Sequence, residues 1–280
     1  MNLHLTGRVA VVSGGSSGIG LAIAERLAAE GACVCIAARD RARLDVAARR
    51  VRDRSTAAST GTSSVMAVAA DMTDADAVAG VVESAVEAFG ALHIAVSNVS
   101  GHVIDPGESG PHAGHFEATP VRALRAEFDQ LVMSAWFLAR SVMGHMRAAG
   151  WGRILNIGSR VAREPAWDLP HVLPNVARPA NAALHRVLAR SGAQDGITVN
   201  SILTASIATE RYRNYHAWLA GEQGRTYADV VQERTQLIPV GRPGTPEEIA
   251  SVAAFLCSGF AASITGQAIP VDGGVNRHLY

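Results

Sequence analysis

Short apolar segments alternate with longer segments of helical periodicity along almost the whole chain. Most of the apolar runs are continuous, as expected for strands of a parallel sheet that is covered on both faces. Seven of them predict strands, at residues 8–13, 33–38, 64–69, 93–98, 153–158, 197–202 and 267–272. Six segments between or after them predict helices, at residues 18–30, 41–54, 74–89, 121–148, 179–192 and 246–257.

The order of these elements predicts the architecture. Strands that alternate with helices through right-handed crossovers form a doubly wound parallel sheet, here seven-stranded and in three α/β/α layers. The last helix has a clear start in TPEEIA, with Thr245 as the cap and Pro246 at the first helical position. No linker or repeat divides the chain, so residues 1–280 are expected to form a single domain.

Two segments interrupt the alternation, and each follows a predicted strand. Residues 99–120 are rich in Gly, Pro and His, whereas residues 203–240 carry several aromatic side chains. Ligands of open α/β sheets bind beyond the carboxyl ends of the strands, where both segments emerge. We therefore predict that residues 203–240 form a lid over a substrate pocket walled by Tyr212, Tyr215 and Trp218; an oligomer contact is the alternative.

The composition favours a small-molecule partner. The formal net charge is zero and no basic run is present, which argues against nucleic acid or an anionic membrane surface as a partner. No apolar run is long enough to span a membrane and no signal peptide precedes the first strand, so a cytoplasmic location is expected. The three cysteines do not suggest a disulfide framework, so we predict that they are reduced and serve as packing residues. No metal site is predicted, because zinc-motif spacing is absent from His102, His112 and His115.

The stretch SGGSSGIG, from Ser13 to Gly20, follows the first predicted strand and opens the first helix. Such a glycine loop predicts a dinucleotide site when it lies in a strand–helix–strand unit; a glycine turn without a ligand is the alternative. Gly14 permits the tight turn, Gly18 lets the backbone approach a pyrophosphate, and Gly20 lets the helix pack closely on the sheet. The residues predicted to bind the cofactor here are Gly14, Ser16, Ser17, Gly18, Ile19 and Gly20.

The end of the second predicted strand indicates which dinucleotide binds. A free ribose 2′-hydroxyl favours an acidic side chain at this position, but the chain has Arg39 there. Because a guanidinium pairs well with a 2′-phosphate, NADP(H) is favoured over NAD(H). Asp71 and Met72 follow the third strand and are predicted to contact the adenine; as an alternative, Asp71 caps the helix that begins near Asp74.

With these motifs, the whole chain resembles the short-chain dehydrogenase/reductase family, including the closing stretch GRPGTPEEIASVAAFLCSGFAASITGQAIPVDGG. The resemblance implies a Rossmann-type fold and a nicotinamide cofactor. Ser13 replaces the first threonine of the family's glycine motif. The family also has an Asn-Asn-Ala-Gly motif after the fourth strand, of which this chain keeps only Asn98. Asn200 is also kept, whereas Ala205 replaces a glycine. Thr209 matches the threonine that usually contacts the nicotinamide carboxamide or the phosphates.

The resemblance also implies a catalytic set of Asn, Ser, Tyr and Lys, of which this chain keeps only the serine, as Ser159. Leu131 falls at the asparagine position, Pro174 at the tyrosine position and Arg178 at the lysine position. The four tyrosines all follow the sixth strand and all 25 Lys or Arg positions are arginine, so no shift in alignment restores the pair. We expect an atypical site in which Ser159 and Arg178 act, Arg178 also holding the cofactor ribose.

The helix that carries these positions contains two prolines. Pro174 and Pro179 have no N–H groups, so a late helix start or a bend is expected to displace Arg178. Some family members resemble this chain in having Ser-Asn-x-x-Arg in place of Tyr-x-x-x-Lys. Asn175 and Arg178 fit that pattern, whereas Pro174 replaces its serine.

A replacement proton donor is expected near this helix. His171 lies three residues before Pro174, and histidine exchanges protons near neutrality, so His171 is the best candidate. A solvent-exposed loop histidine is the alternative reading. Asp168 lies nearby in the sequence, and Tyr212 or Tyr215 can reach in from the lid.

Three functions follow from these observations. The first is an NADP(H)-dependent oxidoreductase that acts on a carbonyl or alcohol of a biosynthetic intermediate with an unusual proton donor. The second is a non-redox enzyme on the same scaffold, catalysing a cyclisation, dehydration or isomerisation. The third is a catalytically silent cofactor-binding subunit. The resemblance also implies a homotetramer or homodimer formed through the long helices at 121–148 and 179–192.

Overall fold

The computed structural model describes residues 2–56, 64–99, 116–165 and 172–277, which contain a seven-stranded parallel sheet. Its strands are β1 (Val9–Ser13), β2 (Cys33–Ala38), β3 (Val65–Ala69), β4 (Ile94–Ser97), β5 (Gly152–Ser159), β6 (Ile197–Thr204) and β7 (Ala268–Val271). The strand order is β3-β2-β1-β4-β5-β6-β7. The predicted doubly wound, seven-stranded parallel sheet is therefore confirmed.

Helices cover both faces of this sheet. They are α1 (Gly18–Ala29), α2 (Arg41–Arg54), α3 (Ala75–Phe89), α4 (Val121–Phe128), α5 (Ser134–Ala148), α6 (Val172–Gly192), α7 (Glu210–Glu222), α8 (Tyr227–Gln236) and α9 (Pro246–Leu256). Helices α1, α2 and α9 pack on one face, and α3, α5 and α6 pack on the other. The three α/β/α layers are thus as predicted.

Each face of the sheet has its own hydrophobic core, which explains the continuous apolar runs. Along β1, Ala10 and Val12 belong to the core under α1 and α9, whereas Val9 and Val11 belong to the core under α3 and α5. Since successive side chains of a strand point to opposite faces and both faces are covered, Val9 to Val12 form a continuous apolar run.

The strand order reverses between β1 and β4. From β1 the chain runs outward to β2 and β3, and from β4 it runs outward on the other side. The loops that leave the carboxyl ends of β1 and β4 therefore diverge and leave a crevice between them. The glycine loop follows β1 and Asn98 follows β4, so both lie at this crevice.

Two helix predictions need correction. Helix α6 begins at Val172, not late, because Pro174 lies in the first turn, where a missing N–H costs no helical hydrogen bond. Pro179 lies inside α6 and cannot donate to the carbonyl of Asn175, yet the helix continues past it. The helix predicted at 121–148 is divided by a π-helical turn, Asp129–Met133, between α4 and α5.

The predicted lid contains α7 and α8, and backbone hydrogen bonds fasten each of its ends. Ile207 and Gly244 pair as a parallel bridge, and the Ala208 N–H donates to the Gly244 carbonyl at 2.8 Å. At the far end, the Val240 N–H donates to the carbonyl of Gly273. Within the described ranges, no helix combines the length and apolar character needed to cross a membrane, and no cluster of three potential metal ligands occurs.

Candidate active site

The glycine loop is shaped by two close backbone approaches. Gly14 and Gly18 have φ angles of 61° and 53°, in the left-handed region that favours glycine. A Cβ on Gly14 would lie 2.1 Å from the backbone oxygen of Asn98, and a Cβ on Gly20 would lie 2.2 Å from the oxygen of Gly14. Glycine is therefore required for the turn and for the contact of α1 with the loop and Asn98.

Ser13 and Asn98 hold the two sides of the crevice together. The Ser13 hydroxyl donates to the carbonyl of Val96 at 3.1 Å and accepts from the Asn98 backbone N–H at 2.9 Å. The Asn98 side-chain amide donates to the carbonyl of Gly14 at 3.3 Å. These bonds fix the spacing between the ends of β1 and β4, which sets the width of the crevice.

The first turn of α1 faces this crevice with its N–H groups available. Ser17 is the N-cap residue, but its side chain makes no capping hydrogen bond. The positive end of the helix and the N–H groups of its first turn suit an anion such as the predicted pyrophosphate. Thr209 closes the site from the lid, because its Cγ2 would lie 3.3 Å from a Cβ on Gly18. Ser16 and Ile19 complete the same loop and are half-buried.

Arg39 is exposed directly after β2, as the predicted 2′-phosphate site requires. Its charge acts on Asp71, whose carboxylate accepts from the backbone N–H and the hydroxyl of Thr73, both at 2.9 Å. The backbone hydrogen bond is the main reason why the pKa of Asp71 is lowered. Asp71 is not the cap of α3, since Asp74 caps that helix by accepting from two backbone N–H groups. The neighbouring Met72 is buried.

Ser159 ends β5 at the same edge of the sheet and is half-buried. Its hydroxyl makes no hydrogen bond within the described part of the chain. Leu131, at the asparagine position, is buried in the π-helical turn and offers only its backbone carbonyl. This carbonyl accepts a short hydrogen bond from the side-chain amide of Asn181 on α6. The π-helical turn is therefore tied to the helix that carries Arg178.

Arg178 points from α6 toward the end of β5. One of its guanidinium nitrogens donates to the carbonyl of Ile157 at 3.3 Å, two residues before Ser159. Burial lowers the pKa of Arg178 to about 10; the charge of Arg211 adds to this shift and Glu127 opposes it. The guanidinium still keeps its proton at neutral pH, so Arg178 acts as a fixed positive charge and hydrogen-bond donor.

The lid aromatics form a cluster of their own. Tyr212 stacks on His216 with ring centroids 4.0 Å apart, and Tyr215 contacts His216 edge-on at 5.2 Å and Trp218 at 5.8 Å. The Tyr212 hydroxyl is buried close to Thr235 on α8, and burial raises its pKa. The cluster lies on α7 and reaches α8 where Tyr212 contacts Thr235, and the contact of these residues with a substrate stays a prediction.

The predicted proton donor His171 and the nearby Asp168 lie outside the described residues, as do His102, His112 and His115. The structure instead adds residues that the sequence did not single out. They are Glu127, Asn181 and Arg211. In the sequence, Arg211 could have been noticed because it lies two residues after Thr209. Glu127 could have been noticed because it is an acidic residue one turn before Leu131.

Comparison with known proteins covers nearly the whole chain. The family profile described as enoyl-(acyl carrier protein) reductase matches residues 14–276. The 2,3-dihydroxy-2,3-dihydro-p-cumate dehydrogenase of Pseudomonas putida is 34% identical over 272 residues, which cover 97% of this chain and 95% of that protein.

Two solved structures share the fold. L-Sorbose reductase from Gluconobacter frateurii, complexed with NADPH and L-sorbose, is 32% identical, with a TM-score of 0.87 and coverage of 100% of both chains. YwfH, described as an NADPH-dependent reductase involved in bacilysin biosynthesis, is 26% identical, with a TM-score of 0.86 and coverage of 97% of this chain and 99% of that chain.

Proposed function

Because the chain belongs to the short-chain dehydrogenase/reductase family, we propose that it is an NADP(H)-dependent oxidoreductase with a non-standard proton donor. Its substrate in this proposal is a carbonyl or alcohol of a biosynthetic intermediate. The structures of L-sorbose reductase with NADPH and of YwfH from bacilysin biosynthesis support a nicotinamide cofactor and this kind of substrate.

The cofactor crevice is the observation that carries the proposal. The glycine loop places left-handed and Cβ-free positions where a pyrophosphate approaches, and the uncapped first turn of α1 offers N–H donors. Thr209 closes this site from the lid. Exposed Arg39 at the end of β2 favours a 2′-phosphate and thus NADP(H). The residues present therefore fit a bound dinucleotide, which supplies a hydride to a carbonyl carbon.

The remaining chemistry belongs to residues around Ser159. The Ser159 hydroxyl, which bonds to none of the described residues, can donate to a substrate carbonyl oxygen and orient it, while Arg178 holds the ribose hydroxyls of the cofactor. Arg178 does not deliver the proton, because a guanidinium with a pKa of about 10 stays protonated at neutral pH. His171 is the proposed donor, with Tyr212 or Tyr215 of the lid as the alternative.

Isotope transfer tests this function directly. The protein is incubated with NADPH deuterated at C4, in each stereochemical form, and with a panel of cyclic and aliphatic ketones that includes L-sorbose. Mass spectrometry should find deuterium at the carbinol carbon from one form only. Ser159→Ala should reduce the rate about 100-fold, the scale of a lost positioning donor, whereas Ser141→Ala on α5 should not. NADPH binding without transfer to any ketone would reject the redox function.

A second candidate is a non-redox enzyme that catalyses a cyclisation, dehydration or isomerisation. It is favoured by Leu131, Pro174 and Arg178, which remove the acid–base groups of the family pattern. Such a reaction can proceed by holding one reactive conformer of the substrate. Product formation with no net oxidation or reduction of the cofactor would support it. Turnover by the isolated protein in either assay would exclude a catalytically silent subunit.

A further inference from the structure

A cavity outside the cofactor crevice lies beside β7, the last strand in the order of the sheet. Its volume is about 340 Å³, which is in the range of small-molecule pockets. Helix α6 lines one side of it, and β6 with residues 266–268 lines the other. Ser159 and the residues of the glycine loop do not contribute to its lining. A molecule bound here would therefore leave the cofactor crevice free.

Two guanidinium groups are held at this cavity by main-chain carbonyls. Arg163, which follows β5, donates to the carbonyl of Ala268 at 2.7 Å. Arg186 on α6 donates to the carbonyl of Gly266 at 2.6 Å. Gly266 and Ala268 are two residues apart, so their Cα atoms are separated by at most about 7 Å. The two guanidinium groups are thus fixed near each other along one short segment of main chain.

The cavity carries a positive charge at neutral pH. Within the described part of the chain, Arg163 and Arg186 make no ion pair, and none of the residues that line the cavity is acidic. A carbonyl group takes one hydrogen bond but does not neutralise the charge, so each guanidinium keeps most of its N–H donors for another partner. His185 is the other ionisable group of the wall, and burial lowers its pKa to about 4, so it is neutral.

The chemistry of this wall matches an oxyanion. A guanidinium binds a carboxylate or a phosphate through paired, charge-assisted hydrogen bonds. Because the main chain already holds Arg163 and Arg186, little side-chain freedom is lost when both bind one anion. Ala182 and Ala183 of α6 line the same cavity and have no side-chain atoms beyond Cβ, which leaves room beside the guanidinium groups.

We propose that this cavity is a second binding site, which takes a small molecule through its carboxylate or phosphate group. Arg163 and Arg186 bind the oxyanion, and the carbonyls of Gly266 and Ala268 hold the two guanidinium groups in place. The site goes beyond the proposed function, because neither the glycine loop nor Ser159 takes part in it.

Isothermal titration calorimetry on the full chain tests the site. Saturating NADP⁺ first fills the predicted anion sites of the crevice, and sodium phosphate or sodium succinate is then titrated at low ionic strength. At least one of the two should bind with one-to-one stoichiometry, and added sodium chloride should weaken the binding. Tighter binding of phosphate would identify a phosphate-bearing ligand, and tighter binding of succinate would identify a carboxylate.

Three variants should weaken this binding about tenfold or more, the scale of a lost charge-assisted hydrogen bond. Arg163→Gln and Arg186→Gln each remove one guanidinium. Ala183→Glu instead adds a carboxylate at the exposed side of the cavity and leaves both bonds to the carbonyls in place. Its loss should exceed that of Ala183→Gln, which adds a side chain of the same size. Arg190→Gln, on the same helix and outside the cavity, is the matched control and should bind like the wild type.

Three results would overturn the site. They are no binding of either anion to the wild type, full affinity in the folded variants, and a loss of binding confined to Arg39→Gln. The last result would place the anion in the cofactor crevice, whether or not NADP⁺ binds there. Thermal unfolding checks each variant; if the two arginine variants do not fold, Ala183→Glu decides, because it keeps the bonds that hold Arg163 and Arg186.

Discussion

At the scale of single residues, cofactor choice depends on Arg39 at the end of β2. Removing its charge should eliminate the paired hydrogen bonds to a 2′-phosphate, which NADH lacks. We therefore expect Arg39→Gln to weaken NADPH binding about 10- to 100-fold and to change NADH binding less than about twofold. Fluorescence titration measures both. Arg41→Gln is the control, since Arg41 pairs with Asp45 at 3.1 Å; equal losses in both variants would contradict the assignment.

Gly20 offers a second test at the residue scale, in which one methyl group is added to the glycine loop. A methyl group there would lie 2.2 Å from the Gly14 oxygen, so Gly20→Ala should force the loop apart and lower the free energy of unfolding by about 1–3 kcal/mol. NADPH binding should weaken with it. Gly144→Ala in α5 is the matched control, because nothing lies within 4 Å of its added Cβ. It should stabilise the protein by about 0.5–1 kcal/mol in urea unfolding.

Sequence reasoning reached the cofactor residues and missed Glu127 for a physical reason. Gly14, Gly18 and Arg39 lie in one strand–helix–strand unit, where local spacing determines their geometry. Glu127 lies on α4, which packs against the distant helix α6, and its side chain is only 1% exposed. Its place one turn before Leu131 does not indicate burial by itself, because a carboxylate is ordinarily exposed.

At the scale of elements, the start of α9 shows how much a local pattern can fix. The sequence predicted Thr245 as the cap with Pro246 following, and the structure has a full capping box in which Glu248 bonds back to the Thr245 N–H. Only side chains within three residues of each other are involved, so no tertiary contact was needed for the prediction.

This capping box predicts a pH effect. Hydrogen bonds from Arg242 and from the Thr245 backbone lower the pKa of Glu248 from 4.5 to about 2. The carboxylate therefore stabilises the folded state above pH 4.5, and its contribution is lost as the pH falls toward 2. Thermal unfolding should show Glu248→Gln less stable than the wild type at pH 7, with the difference shrinking on acidification. Glu247→Gln should show no comparable loss at pH 7; an equal loss would argue against the box.

Helix α6 shows where a local rule failed. Two prolines predicted a late start, but position within the helix decided the outcome, since Pro174 falls in the first turn and Pro179 is tolerated inside. Burial of the Ala177 and Asn181 side chains on the same helix supports it across Pro179. Tertiary packing thus outweighed the backbone preference. The π-helical turn before α5 had no sequence signal of comparable strength.

At the scale of the whole molecule, the sheet was predictable because its strands are covered on both faces. The interior of the lid was not predictable from the sequence, because α7 and α8 are short helices that pack on each other, with Tyr212 of α7 against Thr235 of α8. No strand periodicity marks where they begin and end. The single-domain interpretation of the full chain stays a prediction.

Association with a second copy is expected from the outer surface of α5 and α6. Trp136 is 46% exposed and Val187 is 63% exposed, so both offer apolar area that a copy of the chain would cover. Trp136→Glu with Val187→Glu should convert a homotetramer or homodimer to smaller species in light scattering. Val46→Glu on α2, at a position 51% exposed, should not. A wild-type monomer would contradict the expectation.

The lid begins and ends at main-chain bonds, between Ala208 and Gly244 and between Val240 and Gly273. Bonds of this kind do not depend on which side chains lie between them. We therefore expect residues 212–239, which follow Thr209 of the cofactor crevice, to be exchangeable as one stretch. A family of enzymes built this way can acquire new specificity by replacing one continuous stretch of chain, while the dinucleotide half of the molecule is inherited unchanged.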